Sequence, residues 1–479
     1  MSGAVTNPVG RAGSEAVSGT GNGAPDLAAR RAVEALRSGV PSRTVVAALG
    51  LGQPEVEDRF AGLLEAAGRA GESGGGLLLG GGFGAGKSHA LEHLGALASR
   101  EGFVVSRVVV SKETPLYDTA KLVRAAVETA VAPTADGWRF PGTAVGEALA
   151  GLDTDSPAYA MLLRLAASPA AGLDERFGLT LTLAGRLDSE ALGYLREEVG
   201  EALRRFWSGE PLRSPDLRRW LREAGEPKPV LSAVPLRELA RQRLSFLPRL
   251  FQAAGWAGWV LLVDEVELIG RYSLLQRGRS YAALAELLAL PRVDRGLPFV
   301  PVLAVTDDFE AAVLTGKDDR TVVPGRMRGK ERPDWDAMAA DAVLGMGALT
   351  RDLVLLIPPD DDELDRAYAA LRTLHGQAFG WVPPDVPGLE RLQGTRMRQH
   401  VRAWINEWDL VRLDPTYTPA TVAGTLATSY EEDPELEEPA GPTGGAPETG
   451  SAGLGQTSSP GTHPVRSPDG PPPPAPPLP

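Results

Sequence analysis

The chain has 479 residues, 43% hydrophobic and 23% charged, with a formal net charge of −13; that length and balance suit a soluble globular protein of more than one domain. It holds no cysteine, which excludes a disulfide scaffold, a thiol nucleophile and a Cys-ligated zinc or iron–sulfur centre. No apolar run approaches the length of a bilayer span and the N-terminus lacks a hydrophobic signal core, so a cytoplasmic protein with no membrane partner is expected.

Residues 1–25 are small, polar and without periodicity, the composition of a disordered N-terminus. N-terminal helices are expected across 26–70. DLAARRAVEALRS (26–38) sets Leu27, Val33 and Leu36 on one face, and PEVEDRFAGLLEAAGR (54–69) opens with proline and acids, which suit a helix start. From 71 the texture changes. LLL (77–79) reads as a short buried strand, a helical pattern runs from Lys87 to about Ser99, and FVVSRVVV (103–110) reads as a second strand, rich in β-branched residues. A helix follows at 118–132, completing the first half of a core at 71–136. Residues 137–245 carry helical patterns broken by proline and glycine and no convincing strand, so they read as a helical insertion. The second half of the core, 246–357, supplies three more strands: WVLLV (259–263), FVPVLAV (299–305) and LVLLI (353–357). Short, nearly continuous apolar strands alternating with helices predict an α/β fold with a parallel sheet covered on both faces. Helical patterns return at 358–376 and 395–413 and suggest a C-terminal helical lid over 358–428, with a winged-helix-like character. The segment 429–479 is first acidic and then proline-rich, ending PPPPAPPLP, and is expected to be disordered. Residues 431–479 hold eight acids and one arginine, so more than half of the net charge lies in this tail. The body is only mildly acidic, which disfavours a broad nucleic-acid-binding surface but not a local basic patch.

Gly81-Gly82-Phe83-Gly84-Ala85-Gly86-Lys87-Ser88 matches GxxxxGK[ST] between a strand and a helix. Glycines let backbone N–H groups wrap a phosphate without Cβ clashes, and the following helix aims its N-terminus at the anion. In such a P-loop, or Walker A motif, Lys87 reaches the β- and γ-phosphates of ATP and Ser88 ligates Mg²⁺. WVLLV ends in Asp264-Glu265, a Walker B pattern: Asp264 holds Mg²⁺, and Glu265 orients or deprotonates the attacking water. FVPVLAV ends in Thr306-Asp307-Asp308; Thr306 stands where an AAA+-type ATPase places its first sensor, although Thr or Asp before FEAAVL also makes a helix cap. Two arginine pairs could stabilise a phosphoryl transition state: Arg326 and Arg328, read as a polar loop between the fourth and fifth strands, and Arg396 and Arg398 in the helix after the core, at a second-sensor position. Solvated surface arginines are the plain alternative for each. His89 and His93 have a metal-compatible i, i+4 spacing but no third ligand, so packing is preferred. The helix with Trp404 and Trp408 could stack on bases, but its apolar spacing favours burial. The proline-rich end is read as a bland terminus rather than a polyproline ligand.

The ordered set RRAVEALRSGVPSR (30–43), GQPEVEDRFAGLLE (52–65), GGFGAGKSHALEHL (81–94), VVSRVVVSKETPLYD (104–118), LLVDEVELIGRYS (261–273) and RMRQHVRAWINEWDLVRLDP (396–415) closely resembles the D-type ATP-binding proteins of bacterial BREX (bacteriophage exclusion) systems. The resemblance spans roughly 26–420 and implies a P-loop NTPase with an AAA+/origin-recognition-like core. It also implies a role in phage defence beside methyltransferase or helicase-like components. Carried over by position, the phosphate-binding residues are Gly81 to Ser88 and the acidic pair is Asp264 and Glu265. The expected activity is ATP hydrolysis that controls a partner or DNA. The alternatives are a nucleotide-gated scaffold and an ATP-dependent DNA-binding protein; a homo-oligomer is left open.

Overall fold

The computed structural model describes residues 26–38, 43–69, 72, 74–133, 140–386 and 397–418, all within the first of two compact units, residues 1–437. The disorder expected of 1–25 and 429–479, and Arg396, lie outside the described residues.

Five strands form one parallel sheet: β1 (Leu77–Gly80), β2 (Phe103–Val109), β3 (Gly258–Asp264), β4 (Phe299–Val305) and β5 (Leu353–Leu355), in the order β2-β3-β4-β1-β5. Alternate side chains go to opposite faces. Trp259, Leu261 and Val263 of β3 with Phe299, Leu303 and Val305 of β4 enter one core; Val260, Leu262, Val300, Val302 and Ala304 enter the other, with Leu77 and Leu79. Burial on both faces is why these strands read as unbroken apolar runs. Pro301 sits within β4 although it has no N–H to give. Gly81 N donates to Val305 O at 3.2 Å, so odd-numbered residues of β4 turn their polar groups to β1. Leu77, the first residue of β1, pairs with Val302, so the missing donor of Pro301 falls just before β1 begins and costs no ladder bond.

The helices fall into three groups. On one face of the sheet, α3 (Pro54–Ala66) and α4 (Lys87–Arg100) bury Phe60, Leu91 and Leu94. The other face carries α5 (Thr119–Glu128), the run α6 (Ala144–Ala150), α7 (Pro157–Ala167), α8 (Glu175–Ala184), α9 (Arg196–Trp207), α10 (Ser214–Glu223) and α11 (Leu236–Ala253), then α12 (Leu274–Val293), α13 (Asp319–Arg328) and α14 (Pro333–Arg351). The third group joins sequence-distant ends: α1 (Leu27–Ser38) and α2 (Arg43–Leu49) share a core with α15 (Asp361–Phe379) and α16 (Met397–Leu413), built on Val33, Leu371, Trp404 and Trp408. Arg37 of α1 pairs with Asp409 of α16, which also takes His375 of α15 at 3.3 Å. Among the described residues of 358–418 there are helices and no strand. No described helix is long and apolar enough to cross a membrane.

α12 and α14 approach unusually closely. A Cβ on Gly345 of α14 would stand 2.0 Å from the carbonyl oxygen of Tyr281 on α12. That oxygen is backbone and cannot swing away, so Gly345→Ala must force the helices apart. A loss of about 3 kcal/mol, the upper end of overpacking costs, is expected, measured as a lower urea midpoint at unchanged slope.

Candidate functional site

Parallel pairing sets the strand ends on one edge. Gly80 lies opposite Val305, Val263 opposite Leu303 and Val109 opposite Asp264. The residues that leave β1, β3 and β4 at this edge are therefore the Gly81–Ser88 loop, Asp264-Glu265 and Thr306. Ligands in open parallel sheets bind at this carboxyl edge.

The loop has the conformation its glycines permit. Gly84 (φ +84°) and Gly86 (φ +103°) are left-handed, and open space surrounds the position a Cβ would take at Gly86. α4 starts at Lys87 with no side-chain cap, so its first N–H groups face the loop unoccupied by a cap, as an anion site requires. Lys87 is 8% exposed; its ammonium donates to Gly81 O at 2.9 Å and lies 3.4 Å from Glu267 Oε1.

Asp264 is buried, and Arg107 of β2 donates to its Oδ2 at 2.9 Å while reaching Glu92 of α4 at 3.3 Å. Glu265 is one of three described non-glycine residues with positive φ (+60°). This left-handed turn costs on the order of 1 kcal/mol; it ends β3 and turns the second acid away from the strand line. Its N–H donates to Asp264 Oδ1 at 3.0 Å. Burial first, and then the Asp264 charge, push the Glu265 carboxyl up, against the opposing pull of Lys87, Arg398 and Arg107. Thr306 is buried at the end of β4, between the loop strand β1 and the acid strand β3.

Beside the loop a mainly apolar pocket opens between Leu49–Gln53, Gly84–His89, Leu356–Pro359 and the facing sides of α15 and α16. Gln53 fixes its wall by pairing with the backbone of Ile357 on both sides, N–H to Oε1 at 2.9 Å and Nε2 to O at 3.0 Å. Arg398, in the first turn of α16, lines the pocket and lies 5.4 Å from the centre of the Phe83 ring.

Gly81–Ser88, Asp264, Glu265, Thr306 and Arg398 thus converge. Arg326 and Arg328 lie in the last turn of α13, not in a loop, and both are exposed; no described contact brings either to this edge. His89 binds Gly50 O at 2.6 Å and His93 binds Glu57 at 2.8 Å, and no cluster of metal-ligating side chains occurs among the described residues. Trp404 and Trp408 are buried in the third core. The sequence alone assigns no role to Arg107 or Gln53, whose partners lie 157 and 304 residues away, nor to Glu267. The one local signal for Glu267 was a third acid within DEVE.

A mainly apolar pocket, a glycine loop with a buried ammonium and a pair of acids suit a nucleoside triphosphate. Ser88 and Asp264 offer the hard oxygen ligands that a magnesium ion takes.

Residues 25–136 match the family model described as BREX system ATP-binding protein BrxC/D, a stretch that contains the Gly81–Ser88 loop and ends before Asp264. No curated protein and no solved structure shows a significant match to the chain.

Proposed function

From the match of residues 25–136 to the BREX system ATP-binding protein BrxC/D model, we propose that this chain is an AAA+-like ATPase of a phage-defence system, whose nucleotide state controls a partner or DNA. The family implies ATP binding and a place in phage defence; hydrolysis and control are the further step. The observation that carries the step is the meeting of Lys87, Asp264 and Glu265 at one sheet edge with a basic, partly buried carboxyl at Glu265. The strand order, with β4 between β1 and β3, supports the AAA+ reading, because the end of β4 then lies beside the strand that carries the phosphate loop, where Thr306 would act as a first sensor.

In this reading the base lies in the apolar pocket and the loop N–H groups hold the phosphates. Lys87 reaches the β- and γ-phosphates. Ser88 and Asp264 would hold Mg²⁺, which would supply charge neutralisation for the transferring phosphoryl group. Glu265 accepts a proton from the attacking water, and Arg107 orients Asp264 by donating to its Oδ2. Arg398 offers positive charge from the helical lid formed by α15 and α16, so loss of the γ-phosphate changes the hold of α16 on the loop. Arg326 and Arg328 would act on this site only from another copy of the chain.

Steady-state ATP turnover with and without duplex DNA tests the proposal. Turnover is expected with Mg²⁺ and is expected to vanish when EDTA removes it. Stimulation by DNA would make DNA the object worked on. Tight ATP binding with no turnover under any condition would replace hydrolysis by a nucleotide-gated scaffold.

A further inference from the structure

Glu267 lies in the 3₁₀ turn Val266–Arg271 that follows the acid pair. It is 6% exposed. Oε1 is 3.4 Å from the Lys87 ammonium, and Oε2 is buried with no hydrogen-bond partner among the described residues. The charged groups that bear on it are Lys87 and Glu265; Glu265 is in turn acted on by Asp264, Arg107 and Arg398. A half-satisfied buried ion pair is a poor stabilising device, because desolvation takes back most of the attraction and an orphaned buried oxygen costs about 1–3 kcal/mol. Its position explains it better: among the described residues, the one cation it touches is the lysine that the phosphates would need.

We infer that Glu267 is a positioning residue that holds Lys87 as an exchangeable counter-ion in the nucleotide-free site and yields it to the phosphates when nucleotide binds. The inference rests on the nucleotide-site reading above. Two consequences separate it from a structural role. Glu267 competes with phosphate for Lys87, so neutralising it tightens binding. When Lys87 leaves, the buried carboxylate takes a proton from solvent, so binding carries proton uptake. Burial already pushes this carboxyl up to about 7, against the pull of Lys87, so the exchange falls in the neutral range. Below that value Glu267 is protonated and no longer competes as an anion for Lys87; above it, the competition is complete.

The test is calorimetric titration of wild type and Glu267→Gln with ADP at pH 6 and pH 8, in two buffers of different ionisation enthalpy. Comparing the proteins at each pH cancels the nucleotide's own titration. Glu267→Gln is expected to bind about tenfold tighter than wild type at pH 8, the effect of one buried competing charge. The gap should close at pH 6, and the variant should take up fewer protons near neutrality. Equal or weaker binding by the variant at pH 8, or unchanged proton uptake, would overturn the inference. Glu267→Met, of similar length, must show the same sign if the Gln variant does not fold. Failure of wild type to bind ADP at all would instead remove the nucleotide site itself.

Discussion

Lys87→Ala is expected to weaken ATP binding by at least about 100-fold. A lysine that bridges two phosphates makes charge-assisted hydrogen bonds worth about 1.5–3 kcal/mol each, and each 1.4 kcal/mol is tenfold in affinity. Among the described cations near the loop, Arg107 is committed to Asp264 and Glu92 and Arg398 lies over the Phe83 ring, so neither is held on the loop as Lys87 is. The variant should still fold. Removing one partner of a buried pair costs about 3–5 kcal/mol when the other stays charged, but Glu267 can escape by taking a proton. Its carboxyl is already raised to about 7 with Lys87 present, and loss of that cation raises it further. The sign follows from linkage. A native carboxyl raised above its unfolded value binds more protons than the unfolded chain, so stability falls as pH rises between the two values. In wild type that window runs from 4.5 to about 7; in Lys87→Ala its upper end moves higher. Thermal melts should therefore show the variant close to wild type at pH 6 and clearly less stable at pH 8.5. Binding is read by equilibrium titration with a fluorescent ATP analogue.

Glu265→Gln is expected to keep ATP and lose its hydrolysis. General-base assistance is worth about 10²–10⁴-fold, and the amide cannot accept the proton. Binding should stay equal or tighten, because a negative charge near the phosphates is removed while the loop, Lys87 and Ser88 are untouched. The left-handed turn does not depend on the carboxylate, so the fold should hold. The raised carboxyl has a visible consequence. Glu265 must be deprotonated to act, so wild-type turnover rises with pH through its titration, and that limb is absent from the residual activity of the variant.

Much of this was legible before any coordinates. The strands announced themselves because β1, β3 and β4 are buried on both faces, which leaves no polar residue to interrupt them. The loop was legible because its backbone demands glycine at Gly84 and Gly86. Asp264 and Glu265 stood out as acids ending an apolar run. Other features were not local. The sharing of one core by α1, α2, α15 and α16 needs tertiary contact between the two ends of the chain, and nothing in either end signals the other. The helical state of Arg326 and Arg328 was masked by Pro324, Gly325 and Gly329, which read as loop residues; Pro324 is tolerated inside α13, where it is buried. Arg107 carried no local signal in its strand, and only the pairing of β2 with β3, Val109 opposite Asp264, brings it to the acid. The contact of Glu267 with Lys87 was not legible because it depends on the 3₁₀ turn that follows Glu265.

The central claim is that the Gly81–Ser88 loop and the Asp264-Glu265 pair form one ATP-hydrolysing site. A single-turnover measurement with Mg²⁺ and radiolabelled ATP tests it most directly, on wild type beside Lys87→Ala and Glu265→Gln. The account predicts conversion to ADP and phosphate by wild type, retained but intact ATP on Glu265→Gln, and no bound ATP on Lys87→Ala. ATP bound by Lys87→Ala as tightly as by wild type would contradict it.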